Sequence, residues 1–343
     1  MGIRKVLITG VAGQDGSLLA EKLLAEGAEV VGTFRRGSEG NHWRLKELGI
    51  QENLTLVEYS SGSNPLELLR LLGGGFTEIY HLAGDSFTAD SFRHPFKTIH
   101  TNLVGVTELL ESIRDTDVDS KIFIASSSEM FGSQPHGKQR VSETSSRNPV
   151  NPYGISHSAI LDLSKFFRDV YKLSVSTGIL FNHESEFRGP QFLSRKITSG
   201  LARLKIYGGA PLQLGNLNAK RDWGSAREYV GFFQKILSVA PDDFLICTGK
   251  SISVRELFIY CCNKVGFRPE FSGAGTEEIC VDSNTGQVLM MVSEKYYRPI
   301  ETSNLVGDNS KLGHTVGSTP NVSIYDVLHE MCEAENRRLL HNT

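Results

Sequence analysis

The stretch NPYGISHSAI sets Tyr153 and His157 four residues apart at the start of a predicted helix. One helical turn separates them, so the two side chains share a face. A tyrosine one turn from a cation is equipped for acid–base chemistry, because the charge favours the phenolate. Histidine is an unusual partner for that task. Its ordinary pKa of about 6.5 leaves it mostly neutral above neutrality. The pair reads as a catalytic site, as a modified one, or as two residues of a core helix. Upstream, IASSSEMFG (Ile124–Gly132) ends a predicted buried strand in a serine-rich turn.

A second place for chemistry is the amino-terminal run ITGVAGQDGSLLAE. Gly10, Gly13 and Gly16 fall between a predicted strand, KVLITG, and a helix whose Leu18, Leu19, Leu23 and Leu24 form an apolar stripe ending at Gly27. Glycines let the backbone turn tightly and approach a diphosphate. The helix start then offers free N–H groups and the positive end of its dipole. Gln14 and Asp15 lie inside the same turn and are assigned to the cofactor with it. Such a turn after a strand and before a helix points to a dinucleotide, with an ordinary strand-to-helix turn as the plain alternative. The next strand ends GTFRRGS. Sites for NAD usually place an acid there for the ribose 2′-hydroxyl. Arg35 and Arg36 suit a 2′-phosphate instead, which favours NADP over NAD unless they are a solvated basic pair. Leu82 and Ala83, in the predicted strand end EIYHLAG, complete the cofactor assignment.

The elements that must hold these residues alternate. After KVLITG come EVVGTF, NLTLVEY, EIYHLAG, SKIFIASSS and LSVSTGILF as apolar strands. Helical stretches lie between them, for example Asn64–Leu72 and Asn102–Arg114. Alternation of this kind predicts an α/β fold with a Rossmann-type, doubly wound parallel sheet. Beyond Asn182 the texture changes, with Gly, Pro and Asn clustered in YGGAPLQLGNLNAKRDWG and KYYRPIETSN. Helices recur at Arg227–Leu237, Val254–Val265 and Ser323–Arg338. A cofactor domain over 1–181 and a smaller mixed α/β substrate domain over 182–343 are expected, with segments of the second returning to the first.

Composition narrows the function. The 343 residues carry a net charge of −3 and 22% charged residues, with a pI near 6.4. No basic run alternates with aromatics, which argues against nucleic acid as a partner. No apolar run of about 18 residues occurs and the amino terminus lacks a signal-peptide core, so no membrane partner and a cytoplasmic location are expected. Cys247, Cys261, Cys262, Cys280 and Cys332 form no CxxC pair or Cys/His ligand spacing, so reduced, partly buried thiols and no metal site are expected.

The GxxGxxG turn, the serine-rich strand end and the Tyr-xxx-cation helix together resemble the extended short-chain dehydrogenase/reductase family. TGVAGQDGSLLAE, FRRGS, GILFNHESEFRG, LSRKI, LGNLNAKRDWG, CTGKSISVRELF and KYYRPIE resemble its GDP-mannose 4,6-dehydratase branch, from the first strand to about residue 325. That resemblance implies oxidation at C4 of a hexose, removal of the acidified C5 proton, loss of water from C6 and return of the hydride to C6. The scheme needs a phenolate near O4, a hydroxyl partner and a carboxylate near C5 and C6. Tyr153, Ser127 and Glu129 fit in that order; the family has threonine at the Ser127 position. An epimerase does not need the carboxylate, so Glu129 discriminates, unless it is a surface acid. The resemblance further implies that Asn182, Lys196, Arg221, Arg298 and Glu301 hold the nucleotide sugar and that His183 and Arg188 touch the cofactor. It also implies a homo-oligomer, tetramer or dimer, in which the loop RRGSEGNHW reaches a neighbouring cofactor site.

Departures concentrate in the cofactor half. His157 stands where the family has lysine, Asp85 and Phe87 where it has glutamine and histidine, and Lys97 where it has tyrosine. The family's acid after the third strand is replaced within YSSGS. A unit charge about 4–5 Å from the phenol is worth about 3–4 kcal/mol at an effective dielectric near 20, or 2–3 pKa units. Neutral imidazole supplies almost none of this. If His157 replaces the lysine charge, turnover is expected to fall as pH rises through its pKa. Another redox enzyme acting on a GDP-sugar, a C4 dehydrogenase or an epimerase, and a weakly active binding paralogue are the alternatives.

Overall fold

The computed structural model describes residues 4–35, 42–62, 65–116, 119–132, 134, 140–296 and 304–341. Seven strands form the large sheet: β1 (Lys5–Thr9), β2 (Glu29–Phe34), β3 (Thr55–Glu58), β4 (Glu78–His81), β5 (Lys121–Ser127), β6 (Val175–Leu180) and β7 (Asp243–Ile246). All pairings are parallel, in the spatial order β3-β2-β1-β4-β5-β6-β7. The predicted Rossmann-type sheet is therefore present. The middles of most of its strands are apolar because helices cover both faces. Val6 and Ile8 enter one core with Phe123, while Leu7 enters the opposite core with Ile122 and Ile124. That alternation is the two-residue period of a strand.

Register sets the carboxyl ends of the strands along one edge. Thr9 pairs with Thr33 and with His81, His81 with Ile124, and Ser127 with Leu180. The glycine turn, Arg35, Leu82 and the serine-rich turn all follow from this edge. Strand order reverses at β1 and β4, which opens the crevice where doubly wound sheets take ligands.

The Tyr153 helix spans Pro152–Tyr171 and is fastened at both ends. Asn151 caps its start by accepting the Gly154 N–H, and Lys172 ends it in the left-handed conformation at φ 60°. Near that end Arg168 grips Asp243 of β7 through two bonds of 3.1 and 3.0 Å. The helix expected over Asn102–Arg114 is longer and irregular. Helical backbone runs from Pro95 to Thr116, with a π-type stretch at His100–Val104 in the middle. The widened turn lets Asn102 accept the Asp85 N–H at 2.7 Å and donate to the Asp85 carbonyl at 3.2 Å. Such bulges often sit beside functional sites.

The later chain adds a three-stranded sheet, Ser251–Ser253, Lys220–Ser225 and Asn182–Glu184 in spatial order, and a four-stranded one. Its own core includes Leu257, Phe258 and Leu328. The five cysteines are free and buried. Among the described residues, no helix is long and apolar enough to cross a membrane.

Candidate active site

A cavity of about 1210 Å³ lies beyond the carboxyl ends of β1 and β4. Its wall gathers Gly10, Gly13, Gln14, Asp15, Gly16, Arg35, Leu82, Ala83, Ser127, Glu129, Tyr153 and His157 with Asn182, His183, Arg188, Lys196 and Arg221. Ser60, Ser61, Asp85, Phe87 and Lys97, the positions of the noted departures, line it too. Arg36, Arg298, Glu301 and most of the RRGSEGNHW loop lie outside the described residues.

The glycine turn is built for close approach. Gly10 has φ +73°, and a Cβ there would stand 2.8 Å from the Ala83 Cα. The Leu82 and Ala83 N–H groups both donate to Thr9 Oγ1 at 3.2 Å, tying β4 to the turn. No side chain caps the helix Gln14–Ala25, which leaves its first N–H groups for an anion. With Arg35 at the end of β2, these features fit a dinucleotide with its phosphates on the turn.

Asp15 joins this turn to the later half. Its Oδ2 lies 2.9 Å from His183 Nε2, while His183 Nδ1 lies 2.7 Å from the Phe181 carbonyl. Acceptors at both ring nitrogens suit an imidazolium. Burial opposes either charge, but the mutual attraction outweighs it, raising the His183 pKa and lowering that of Asp15. Gln14 adds a bond to the His183 carbonyl at 3.2 Å.

Ser127 closes β5, and its Oγ accepts the Glu129 N–H at 3.3 Å. Burial pushes the Tyr153 phenol up to about 12, against the opposing pull of the nearby Ser127 hydroxyl and of the Arg188 charge. His157 lies one turn along, its ring 4.4 Å from that of Tyr153 at 68°. Burial drives the imidazole down to about 3, and neither ring nitrogen has a hydrogen-bond partner among the described residues. The expected loss of turnover through a His157 pKa near neutrality therefore does not follow. With burial as the one cause acting on it among the described residues, the enclosed ring stays neutral. Among the described residues, the positive charge that favours the Tyr153 phenolate is that of Arg188, whose Nε lies 3.1 Å from Glu184 and whose guanidinium lies 3.7 Å above the Phe192 ring.

On the opposite wall, Asn182 pairs in register with Trp223, two residues after Arg221. Lys196 Nζ donates to the Gln213 carbonyl at 2.5 Å and lies 3.5 Å from the Tyr296 ring centre. Three wall residues gave little warning. Arg44 is buried and donates to the Phe187 and Ala12 carbonyls at 2.7 and 3.0 Å, bridging the two halves; nothing in its sequence neighbourhood marks it. Lys97 pairs with Asp85 at 3.0 Å, a contact between two of the noted departures that the sequence does not disclose. His81, at the end of β4, meets Thr9 Oγ1 at 3.0 Å.

Comparison with known proteins agrees with this geometry. The family model described as GDP-mannose 4,6 dehydratase matches residues 7–331. GDP-mannose 4,6 dehydratase 2 of Caenorhabditis elegans is 37% identical, over 97% of this chain and 89% of its own. GDP-mannose 4,6-dehydratase of Yersinia enterocolitica is 35% identical, over 96% of this chain and 93% of its own. In fold, the dTDP-glucose 4,6-dehydratase DesIV of Streptomyces venezuelae, solved with NAD and TYD, superposes with a TM-score of 0.80 at 23% identity, covering 98% of each chain. A match over nearly the whole length, with relatives above 30% identity, shows that the chain belongs to the GDP-mannose 4,6-dehydratase family of extended short-chain dehydrogenases/reductases.

Proposed function

We propose that the chain converts GDP-mannose, or a close GDP-sugar, to the GDP-4-keto-6-deoxy sugar and water, with NADP as its cofactor. One observation carries the reading: a carboxylate, Glu129, lines the same cavity as Ser127 and Tyr153. A hydroxyl pair alone suffices for epimerisation or ketone reduction. Elimination across C5 and C6 also needs a base near C5.

When bound, the nicotinamide supplies reversible hydride transfer, from C4 of the hexose and back to C6. The side chains move the protons. Tyr153, with Ser127 orienting it, takes the O4 proton as C4 becomes a ketone. Glu129 takes the C5 proton, now acidified by that ketone, and returns it to the departing O6 hydroxyl, which leaves as water. C5 regains a proton as C6 is reduced, so the cofactor ends as it began. His157 offers an uncharged N–H to the cofactor ribose and adds no charge to the phenol. Arg35 at the end of β2, in place of an acid, supports NADP over NAD. Asn182, Lys196 and Arg221 grip the nucleotide sugar, as do Arg298 and Glu301. The enzyme acts in the cytoplasm as a homo-oligomer. Support for the latter is the exposed apolar row Ile155, Phe166 and Val170 on the Tyr153 helix.

The test mixes purified protein with GDP-mannose and NADP and follows the sugar by NMR. A 4-keto-6-deoxy product is expected, with deuterium at C5 when the solvent is D2O. A C4-epimer or a 6-hydroxy-4-keto sugar as end product overturns the dehydratase reading. So does nucleotide-sugar binding without conversion in both this protein and its His157→Lys variant.

A further inference from the structure

Asn151 precedes the Tyr153 helix and is 3% exposed. Its amide group is used at both ends. Oδ1 accepts the Gly154 N–H at 2.7 Å, the ordinary work of a helix cap. Nδ2 reaches the other way and donates to Glu129 Oε2 at 3.0 Å. The cap needs only an acceptor, so the second bond is surplus to it. The backbone is shaped for the contact as well. Gly154 approaches the Glu129 segment so closely that a Cβ would stand 2.5 Å from the Glu129 carbonyl oxygen. One side chain thus spans from the helix bearing Tyr153 to the carboxylate on the turn after β5.

We propose that Asn151 is a positioning residue for Glu129: it fixes the carboxylate's orientation relative to the Tyr153 phenol, and so serves the C5 step more than the C4 step. This rests on the reading of Glu129 as the C5 base. A glutamate has three side-chain torsions, and misplacing a reacting group by about 1 Å can cost on the order of 100-fold in rate. A neutral amide holds the carboxylate without protonating it or competing for the proton it must take. Asp or Ser at 151 retains a capping acceptor. Neither side chain, while capping, presents an amide donor to Glu129, and aspartate turns an anionic oxygen toward it.

The two roles separate in Asn151→Asp and Asn151→Ser, read beside Glu129→Gln. Thermal midpoint and NADP binding report on the cap and the fold. Single-turnover absorbance of the reduced nicotinamide reports its appearance at the C4 step and its disappearance after the C5 step. Both Asn151 variants are expected to keep the midpoint, NADP affinity and appearance phase of the unaltered protein. Disappearance should slow about tenfold or more, with a primary isotope effect from C5-deuterated substrate. Equal slowing of both phases reduces Asn151 to a helix cap and overturns the proposal. An unchanged disappearance phase in both variants overturns it too. A Glu129→Gln enzyme that retains the disappearance phase removes Glu129 as the base, which is a failure of the prior reading and visible without the Asn151 variants.

Discussion

The two sides of the Tyr153 phenol are built differently. On one side Glu129 sits on a short turn, held by Asn151 at 3.0 Å and pressed by Gly154. On the other side His157 is enclosed, neutral and, among the described residues, without a hydrogen-bond partner. The first wall is held by a bond within the protein; the second has none to its ring nitrogens among the described residues. The carboxylate proposed to drive elimination is therefore preorganised, while the phenol proposed to drive oxidation has no charge one helical turn along and only Arg188 to favour its phenolate among the described residues. In this chain the C4 step carries the electrostatic handicap.

The largest test of that contrast removes the anchored wall. Glu129→Gln should lower dehydration by about 10²–10⁴-fold, the usual range for a general acid–base group. Reduced nicotinamide should still form on the enzyme, as stopped-flow absorbance would show. Loss of both signals together would make the two walls one unit.

Next in size is the repair of the weaker wall. His157→Lys places an ammonium where the imidazole lies, worth about 2–3 pKa units on a phenol 4–5 Å away. Tyr153 starts at about 12. The rate of C4 oxidation near neutrality should therefore rise by about 100-fold if ionisation of the phenol limits it, with the alkaline inflection moving down. No rise would mean that Arg188 already suffices.

A smaller effect concerns the seam between the halves. The raised His183 pKa contributes stability that is complete below about pH 6.5, its unfolded value, and is lost as pH rises through the folded value. The lowered Asp15 pKa contributes stability above about pH 3.9, lost as pH falls through its folded value. Between those limits Asp15→Asn should cost about 1–3 kcal/mol. It should also flatten the decline of the thermal midpoint on the alkaline side. An unchanged slope would place the proton elsewhere than on His183.

The smallest expected change is an absence. With its pKa near 3, His157 stays uncharged across the working range. The unaltered enzyme should show rates rising with pH toward the Tyr153 value, with no loss between about pH 5 and 8 from histidine deprotonation. The same profile shape in His157→Ala would agree; an inflection near neutrality that this variant abolishes would restore charge to His157.

The large sheet was readable because its physics is local. KVLIT carries three consecutive apolar residues, Val6, Leu7 and Ile8, a pattern that suits a strand buried on both faces. The glycine turn declared itself by spacing and place. The π-type stretch at His100–Val104 did not, since HTNLV carries no helix breaker and the widened turn answers to Asn102 reaching Asp85. Arg44 was hidden for a similar reason: its partners, Ala12 and Phe187, are 32 and 143 residues away. Asn151 read as a residue before a proline, and its bond to Glu129 crosses 22 residues.

What the chain's order of residues determined by itself was the alternation of strands and helices, the cofactor-type turn, and the set of groups able to act: Ser127, Glu129, Tyr153 and His157 in their relative order. Periodicity and turn chemistry are short-range, so a linear reading reaches them. Only the folded molecule decided which of those groups are charged, which are held and which wait for a partner. Burial silences His157, Asp15 charges His183, and Asn151 anchors Glu129. Each depends on groups that only the folded chain brings together, and the two charge effects also on the removal of water.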